Sequence, residues 1–187
     1  FFYRIDREVL RAQIACKIKD ARFVDLMMRF ADHGEPVGIP IGNLLSQLYA
    51  LIYLNPLDHF IKRTLGVNRY CRYVDDFVLF GLPRLALLAA QARIVEFLGG
   101  LGLCLSRFTL APATRGINFV GYRTWSSRRF VRRRGLYVFR QAVKRGRLDS
   151  LVSVLGHARR THSLQHMLRT LREARCELYP QLPQVYR

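Results

Sequence analysis

The chain has 187 residues, enough for one ordinary domain or a domain with a small appendage, and half of them are hydrophobic, which excludes wholesale disorder. Its outlying quantity is charge: 31 Lys+Arg against 13 Asp+Glu, a net +18, with Arg far outnumbering Lys. Because the planar guanidinium fork suits phosphate, this balance points to a polyanionic partner, with nucleic acid well ahead of an anionic membrane.

In chain order, apolar residues at helical spacing predict two helices, over residues 7–19 (Val9, Leu10, Ile14, Ile18) and 20–31 (Phe23, Leu26, Met27, Phe30). The adjacent Met27 and Met28 read as core filler. A breaker-rich loop follows at residues 34–43. Then comes a long, mostly apolar helix over residues 44–63, with Asn43 as its N-cap and Gly66 ending it. Asn55 and Pro56 interrupt its apolar run, and no stretch approaches membrane-spanning length.

Residues 72–80, RYVDDFVLF, place two adjacent carboxylates between short β-prone runs, which predicts a tight hairpin with Asp75 and Asp76 at its tip. Adjacent carboxylates repel, and each disfavours ionisation of the other unless a cation is held near them. Such a pair makes half of a divalent-metal site, since Mg²⁺ takes carboxylate oxygens together with a substrate's phosphates. An Asp-Asp pair is also common in solvated turns, where it caps local backbone groups.

A helix over residues 83–98 ended by Gly99-Gly100, strands over 103–111 and 117–125, a basic turn, and helices over 141–155 and 163–176 complete the prediction. Together these elements give an α+β pattern. From Gly121 onward there are sixteen Lys+Arg and three Asp+Glu, so this final third carries +13 of the net charge. Its densest run, residues 127–135, includes Arg132, Arg133 and Arg134; like charges this close call for a counter-anion, and phosphate is the natural one. Cys16, Cys71, Cys104 and Cys176 show neither zinc-ligand nor disulfide-framework spacing, and are expected to be buried free thiols in a reducing compartment.

Three segments in this order resemble the palm motifs of bacterial reverse transcriptases: GIPIGNLLSQ (residues 38–47), RYVDDFVLF (72–80) and GINFVGY (116–122). The opening FFYRID resembles the tail of that family's first palm motif. GIPIGN…SQ joined to YLNPLDHFIK (53–62) looks most like the enzymes of diversity-generating retroelements, where group II intron enzymes usually carry Pro-Gln-Gly. The fold this implies is a partial right-hand polymerase palm over residues 1–122, followed by the start of a basic, helical thumb over residues 123–187. The implied activity is RNA-directed DNA polymerase, with an RNA template, a DNA primer and product, dNTPs and two Mg²⁺ ions in the complete site. A small accessory protein, no membrane association, and a location in the bacterial cytoplasm or at the nucleoid complete the implication.

Carried over by match, Asp75 and Asp76 are the catalytic metal ligands and Tyr73 lies near the primer terminus. Gly38, Pro40 and Gly42 let backbone approach a base pair, while Asn43, Ser46 and Gln47 offer amide and hydroxyl groups to nucleic acid. Phe2 matches the aromatic beneath the incoming sugar, whose ring would collide with a 2′-hydroxyl. Phe119, Gly121 and Tyr122 resemble the primer support, and Arg132, Arg133 and Arg134 the thumb's phosphate contacts. The family commonly has a Lys just before the Thr near the triphosphate; that place is Phe108 here, with Arg107 as the substitute. The family's first catalytic Asp precedes the Phe2 match in a D-x-x-x-x-F pattern and falls before Phe1, so these residues alone are expected not to polymerise. The alternative expectation is a remnant that binds nucleic acid without catalysis; a third is an RNA-templated RNA polymerase, against which Phe2 argues.

Overall fold

The computed structural model describes residues 1–186, which form two units divided between Phe108 and Thr109. In the first, Asp6 and Asp20 each start a helix by accepting two backbone N–H bonds: Asp6 from Glu8 and Val9 (2.8 and 3.2 Å), Asp20 from Arg22 and Phe23 (2.9 and 3.2 Å). They open α1 (Arg7–Ala15) and α2 (Ala21–Ala31). Leu10 and Ile14 of α1 enter the core as expected. On α2 the buried face is Val24, Met27 and Ala31, with Met28 packed against it, so the methionines do fill core. The expected Phe23, Leu26 and Phe30 stand exposed, off the face of α2 that Val24, Met27 and Ala31 turn to the core.

Asn43 accepts from the Leu45 N–H (2.9 Å) and opens α3 (Leu44–His59). Pro56 sits inside this helix, and the next turn widens to a π-turn at Phe60–Thr64, closed by Leu65 N–H to Phe60 C=O at 2.9 Å. Gly66, at φ +67°, ends it as predicted. Tyr49 and Tyr53 of α3 are fully buried; Tyr49 satisfies its hydroxyl on the Met27 carbonyl at 2.6 Å.

The hairpin β1 (Tyr70–Tyr73) and β2 (Asp76–Leu79) follows, then α4 (Arg84–Gly100). The helix ends at Gly100, two residues past the expected Leu98. Both glycines are helical, and Gly102 at φ +71° is the terminator: its N–H reaches the Gly99 carbonyl (3.0 Å) while Leu103 N–H reaches Leu98 (2.8 Å). That closure buries Leu103 beside Leu98, and residues 103–111 then run without strand structure, since no neighbouring strand pairs with them. All four cysteines are free and exposed, which corrects the expectation of buried thiols.

In the second unit, β3 (Ile117–Phe119), β4 (Tyr122–Thr124) and β5 (Arg129–Val131) form an antiparallel sheet in chain order. The single strand expected over 117–125 is thus a hairpin, turned at Val120 (φ +45°) and Gly121 (φ +80°), the positive pair that a two-residue turn of this hand requires. The outer edge of β5 is covered: Arg129 C=O accepts from His162 N–H (2.9 Å), and Val131 N–H donates to Ser163 Oγ (3.0 Å). Three helices follow, α5 (Arg133–Arg145), α6 (Leu148–Ala158) and α7 (Ser163–Ala174). A continuous helix over 141–155 does not form, because Gly146 at φ +65° closes α5. Val131, Phe139, Leu151, Leu155, Met167 and Leu171 make this unit's core. Residue 122, where the first part was expected to end, lies in β4; the two units divide between Phe108 and Thr109, with the three-stranded sheet in the second, where Val131 and Tyr122 join its core.

Candidate metal and nucleic-acid site

The hairpin tip is a two-residue turn, Val74 and Asp75, with Asp76 already in β2 opposite Tyr73. Val74 sits at φ +55°, a region costly for a β-branched side chain, by about 1–3 kcal/mol. Cross-strand partners share a sheet face, so Tyr73 and Asp76 stand side by side, both exposed, with Asp75 exposed in the turn between them.

What holds this turn was not legible as a motif. Tyr70 and Arg72 lie on the opposite face of β1, toward α3, where both meet Asp58. Tyr70 donates its hydroxyl to Asp58 Oδ1 at 2.7 Å, Arg72 Nε donates to the same oxygen at 2.7 Å, and Arg72 Nη2 donates to Oδ2. The remaining arm, Nη1, donates to the Val74 carbonyl at 2.8 Å. The guanidinium therefore ties the strained residue of the turn to the long helix. Burial pushes the Asp58 carboxyl up, but the Arg72 and Tyr70 hydrogen bonds and the Arg72 charge outweigh it and hold it below the usual carboxylate range. Burial first, and Asp58 second, push the Tyr70 hydroxyl well above an ordinary tyrosine. The only sequence signal was an Asp in a segment whose neighbours Leu54, Leu57 and Ile61 are core.

The aspartates of this unit divide cleanly. Asp6 and Asp20 cap helices; Asp25, Asp32 and Asp58 pair with Arg11, Arg7 and Arg72. Asp75 and Asp76 do neither, and among the described residues no hydrogen bond or ion pair engages their carboxylates. The turn-capping role that commonly explains an Asp-Asp pair is not the one they play. The pair supplies carboxylate oxygens of the kind Mg²⁺ takes, yet among the described residues no group of three or more His, Cys, Asp or Glu is placed to hold a metal. The two carboxylates fit part of a metal site and do not complete one.

Phe2 and the Gly38 loop are brought together by backbone bonds, Gly38 N–H to Ile5 C=O at 2.9 Å and Ile39 N–H to Phe2 C=O at 3.0 Å. Phe2 packs against the core with its ring edge-on to Phe1. At Gly38, φ +97°, a Cβ would lie 2.9 Å from Tyr3 Cα and 3.1 Å from the Phe2 carbonyl oxygen, whereas at Gly42, φ +92°, it would meet open space. Gly38→Ala is therefore expected to destabilise the fold by about 3 kcal/mol, through φ and a backbone clash together, and Gly42→Ala by about 1 kcal/mol through φ alone. Paired urea melts check this; equal losses would mean that the close approach contributes nothing.

The other expected contacts divide. Gln47 is exposed and Pro40 half-buried, while the Asn43 side-chain oxygen is taken up by the helix cap. Ser46 corrects the expectation: it is 1% exposed on the core side of α3, so its hydroxyl cannot reach nucleic acid, and its Oγ has no hydrogen-bond partner among the described residues. Arg107 is exposed on the irregular segment after α4.

In the second unit, Gly121 approaches His157 closely, where a Cβ would stand 3.0 Å from Nε2. Phe119 pairs across the hairpin with Tyr122. Tyr122 stacks on His157 (centroids 4.3 Å) and donates its hydroxyl to the His157 carbonyl at 2.8 Å, so it braces the hairpin internally. Arg132, Arg133 and Arg134 are exposed at the start of α5, with no acidic residue in its first turn. Cations there oppose the helix dipole, so local helix energetics do not explain them. This unit holds seventeen Lys+Arg against three Asp+Glu, and its one ion pair among the described residues is Arg175–Glu177 at 3.4 Å.

Among the described residues no helix is long and apolar enough to cross a membrane. No protein-family model and no curated protein matches this chain.

Proposed function

We propose that the chain forms the palm and the start of the thumb of a reverse transcriptase, an RNA-directed DNA polymerase. The observation that carries this reading is the pair Asp75 and Asp76: exposed, without hydrogen-bond or ion-pair partners among the described residues, and held on a strained turn that Arg72 anchors to α3. Mg²⁺, when bound, would activate the primer 3′-hydroxyl and neutralise the leaving pyrophosphate. The protein's own part is positioning. Asp75 and Asp76 present negative charge, and Tyr73, exposed beside Asp76, takes the primer end. Phe2, fixed on the Gly38 loop, lies beneath the deoxyribose; Gln47 and Arg107 face the primer–template and the triphosphate; Arg132, Arg133 and Arg134 take backbone phosphates. RNA template, DNA primer and dNTPs are the substrates, a retroelement protein in the bacterial cytoplasm is the setting, and a small accessory protein is the further partner.

The test is Mg²⁺-dependent extension of a DNA primer on an RNA template by the full gene product, with Asp75→Asn beside it. A second reading, a nucleic-acid-binding remnant, draws on the lack of a three-ligand metal group among the described residues. Binding by the full gene product with no extension under any Mg²⁺ condition would select it.

A further inference from the structure

The outward face of the three-stranded sheet carries a cluster that the reading above does not use. In its register Arg123 lies opposite Phe130, and Trp125 N–H donates to the Arg128 carbonyl at 2.8 Å, so Arg123, Trp125, Arg128 and Phe130 share one face. The opposite face carries Val131 into the core and Tyr122 onto His157.

Trp125 is fixed in place. Its indole N–H donates to the Thr114 carbonyl at 3.2 Å, Phe130 meets its ring edge-on, and Gly116 has no side chain because the ring fills that space, 2.5 Å from where a Cβ would be. Two guanidinium groups gather on this one ring, Arg123 at 5.2 Å and Arg128 at 5.7 Å from its centre. Arg123 is further oriented by Nε and Nη2 donating to the Arg115 carbonyl at 3.1 and 2.6 Å, which leaves Nη1 to a third party. Among the described residues neither cation has a carboxylate partner. Of the unit's three acidic residues, Asp149 and Glu173 lie on α6 and α7, and Glu177 pairs with Arg175.

Two like charges ordered on one aromatic, with their N–H groups directed and no counter-ion among the described residues, form a pre-organised anion site. We propose that this Arg123–Trp125–Arg128 face is a binding site for the phosphodiester backbone of a nucleic-acid strand. It rests on the nucleic-acid side of the proposed function and is independent of its catalytic side. Binding there is insensitive to base sequence and steeply dependent on salt, because phosphates and not base edges are read.

Trp125 is the chain's one tryptophan, so its emission reports this face alone. The full chain is titrated with a dye-labelled RNA–DNA hybrid of mixed sequence, following Trp125 emission, its quenching by acrylamide, and dye anisotropy. Expected is a saturable Trp125 response with the same midpoint as the anisotropy, and protection from acrylamide. Arg123→Gln with Arg128→Gln should weaken binding about tenfold to a hundredfold and reduce the slope of log affinity against log salt by about two. Removing the same charge at exposed Arg159 and Arg160 should weaken binding less. Binding with an unresponsive, unprotected Trp125 would overturn the proposal, and that measurement needs no variant to fold. Equal losses in the two double variants, or a Trp125 response to phosphatidylserine vesicles but not to the hybrid, would overturn it as well. A Trp125 response without primer extension by the full gene product sinks the polymerase reading and leaves this site; extension with a silent Trp125 does the reverse.

Discussion

Asp75→Asn is expected to lower Mg²⁺-dependent primer extension by the full gene product about a thousandfold or more, and to leave its melting temperature where it was or slightly higher. Both halves of that result come from one geometry. The Asp75 carboxylate is exposed and makes no hydrogen bond or ion pair among the described residues, so its loss removes no interaction seen there, and it relieves repulsion from Asp76. Asn keeps the size and one oxygen while removing the charge that a divalent ion needs. Asp76→Asn should behave alike, with the paired Tyr73 unmoved. Extension rates and thermal melts of the three proteins check this. If either substitution unfolds the protein, the carboxylate has a structural role that no contact accounts for. If extension survives both, the pair is not the metal site.

The features legible in the sequence were those whose cause is local. Asn43 caps α3 because its short side chain reaches a backbone N–H two residues on, and the neighbours announce this. The hairpin could be placed from β-prone runs about two turn residues, although the structure puts only Asp75 in the turn and Asp76 in the strand. Expectations failed where a distant partner decides. Residues 103–111 alternate like a strand, yet a strand exists only where another pairs with it, and Leu103 is drawn instead into the closure of α4. Gly99-Gly100 did mark where α4 ends, but the left-handed residue that closes it is Gly102, and a helix already packed through Ala90, Ile94 and Leu98 carries the two glycines as its last turn. Ser46 was assigned by its place in a motif, but which face of α3 is buried depends on α1, α2 and α4 together. At the candidate site, Asp75 and Asp76 could be read directly. The contact that holds them could not, because Asp58 and Arg72 are fourteen residues apart and meet only through the packing of β1 on α3.

That contact gives the second large effect. Asp58→Ala should destabilise the protein by about 2 kcal/mol, between the near-zero value of a surface pair and the 3–5 kcal/mol of a fully buried one, since the Arg72 side chain is 8% exposed and that of Asp58 27%. The loss would come mainly from leaving the Arg72 guanidinium and the Tyr70 hydroxyl desolvated without their acceptor, so Asp58→Leu combined with Arg72→Met should be milder than Asp58→Ala. The sign of the pH dependence follows from the depressed carboxyl. Its stabilisation is fully present above the unfolded aspartate value, ~3.9, and is lost as pH falls through the lower folded value. The stability gap between wild type and Asp58→Ala should therefore be constant near neutrality and close below about pH 4. Urea melts across that range check it; a gap that persists unchanged in acid would assign the effect to packing and not to the ion pair. The substitution should also reach the site. With Arg72 released, its bond to the Val74 carbonyl no longer holds the strained turn, and extension by the full gene product should fall even well below the melting temperature. Asp58→Ala would then lose stability and activity together where Asp75→Asn loses activity alone, and that contrast separates the group that holds the turn from the group that works on it.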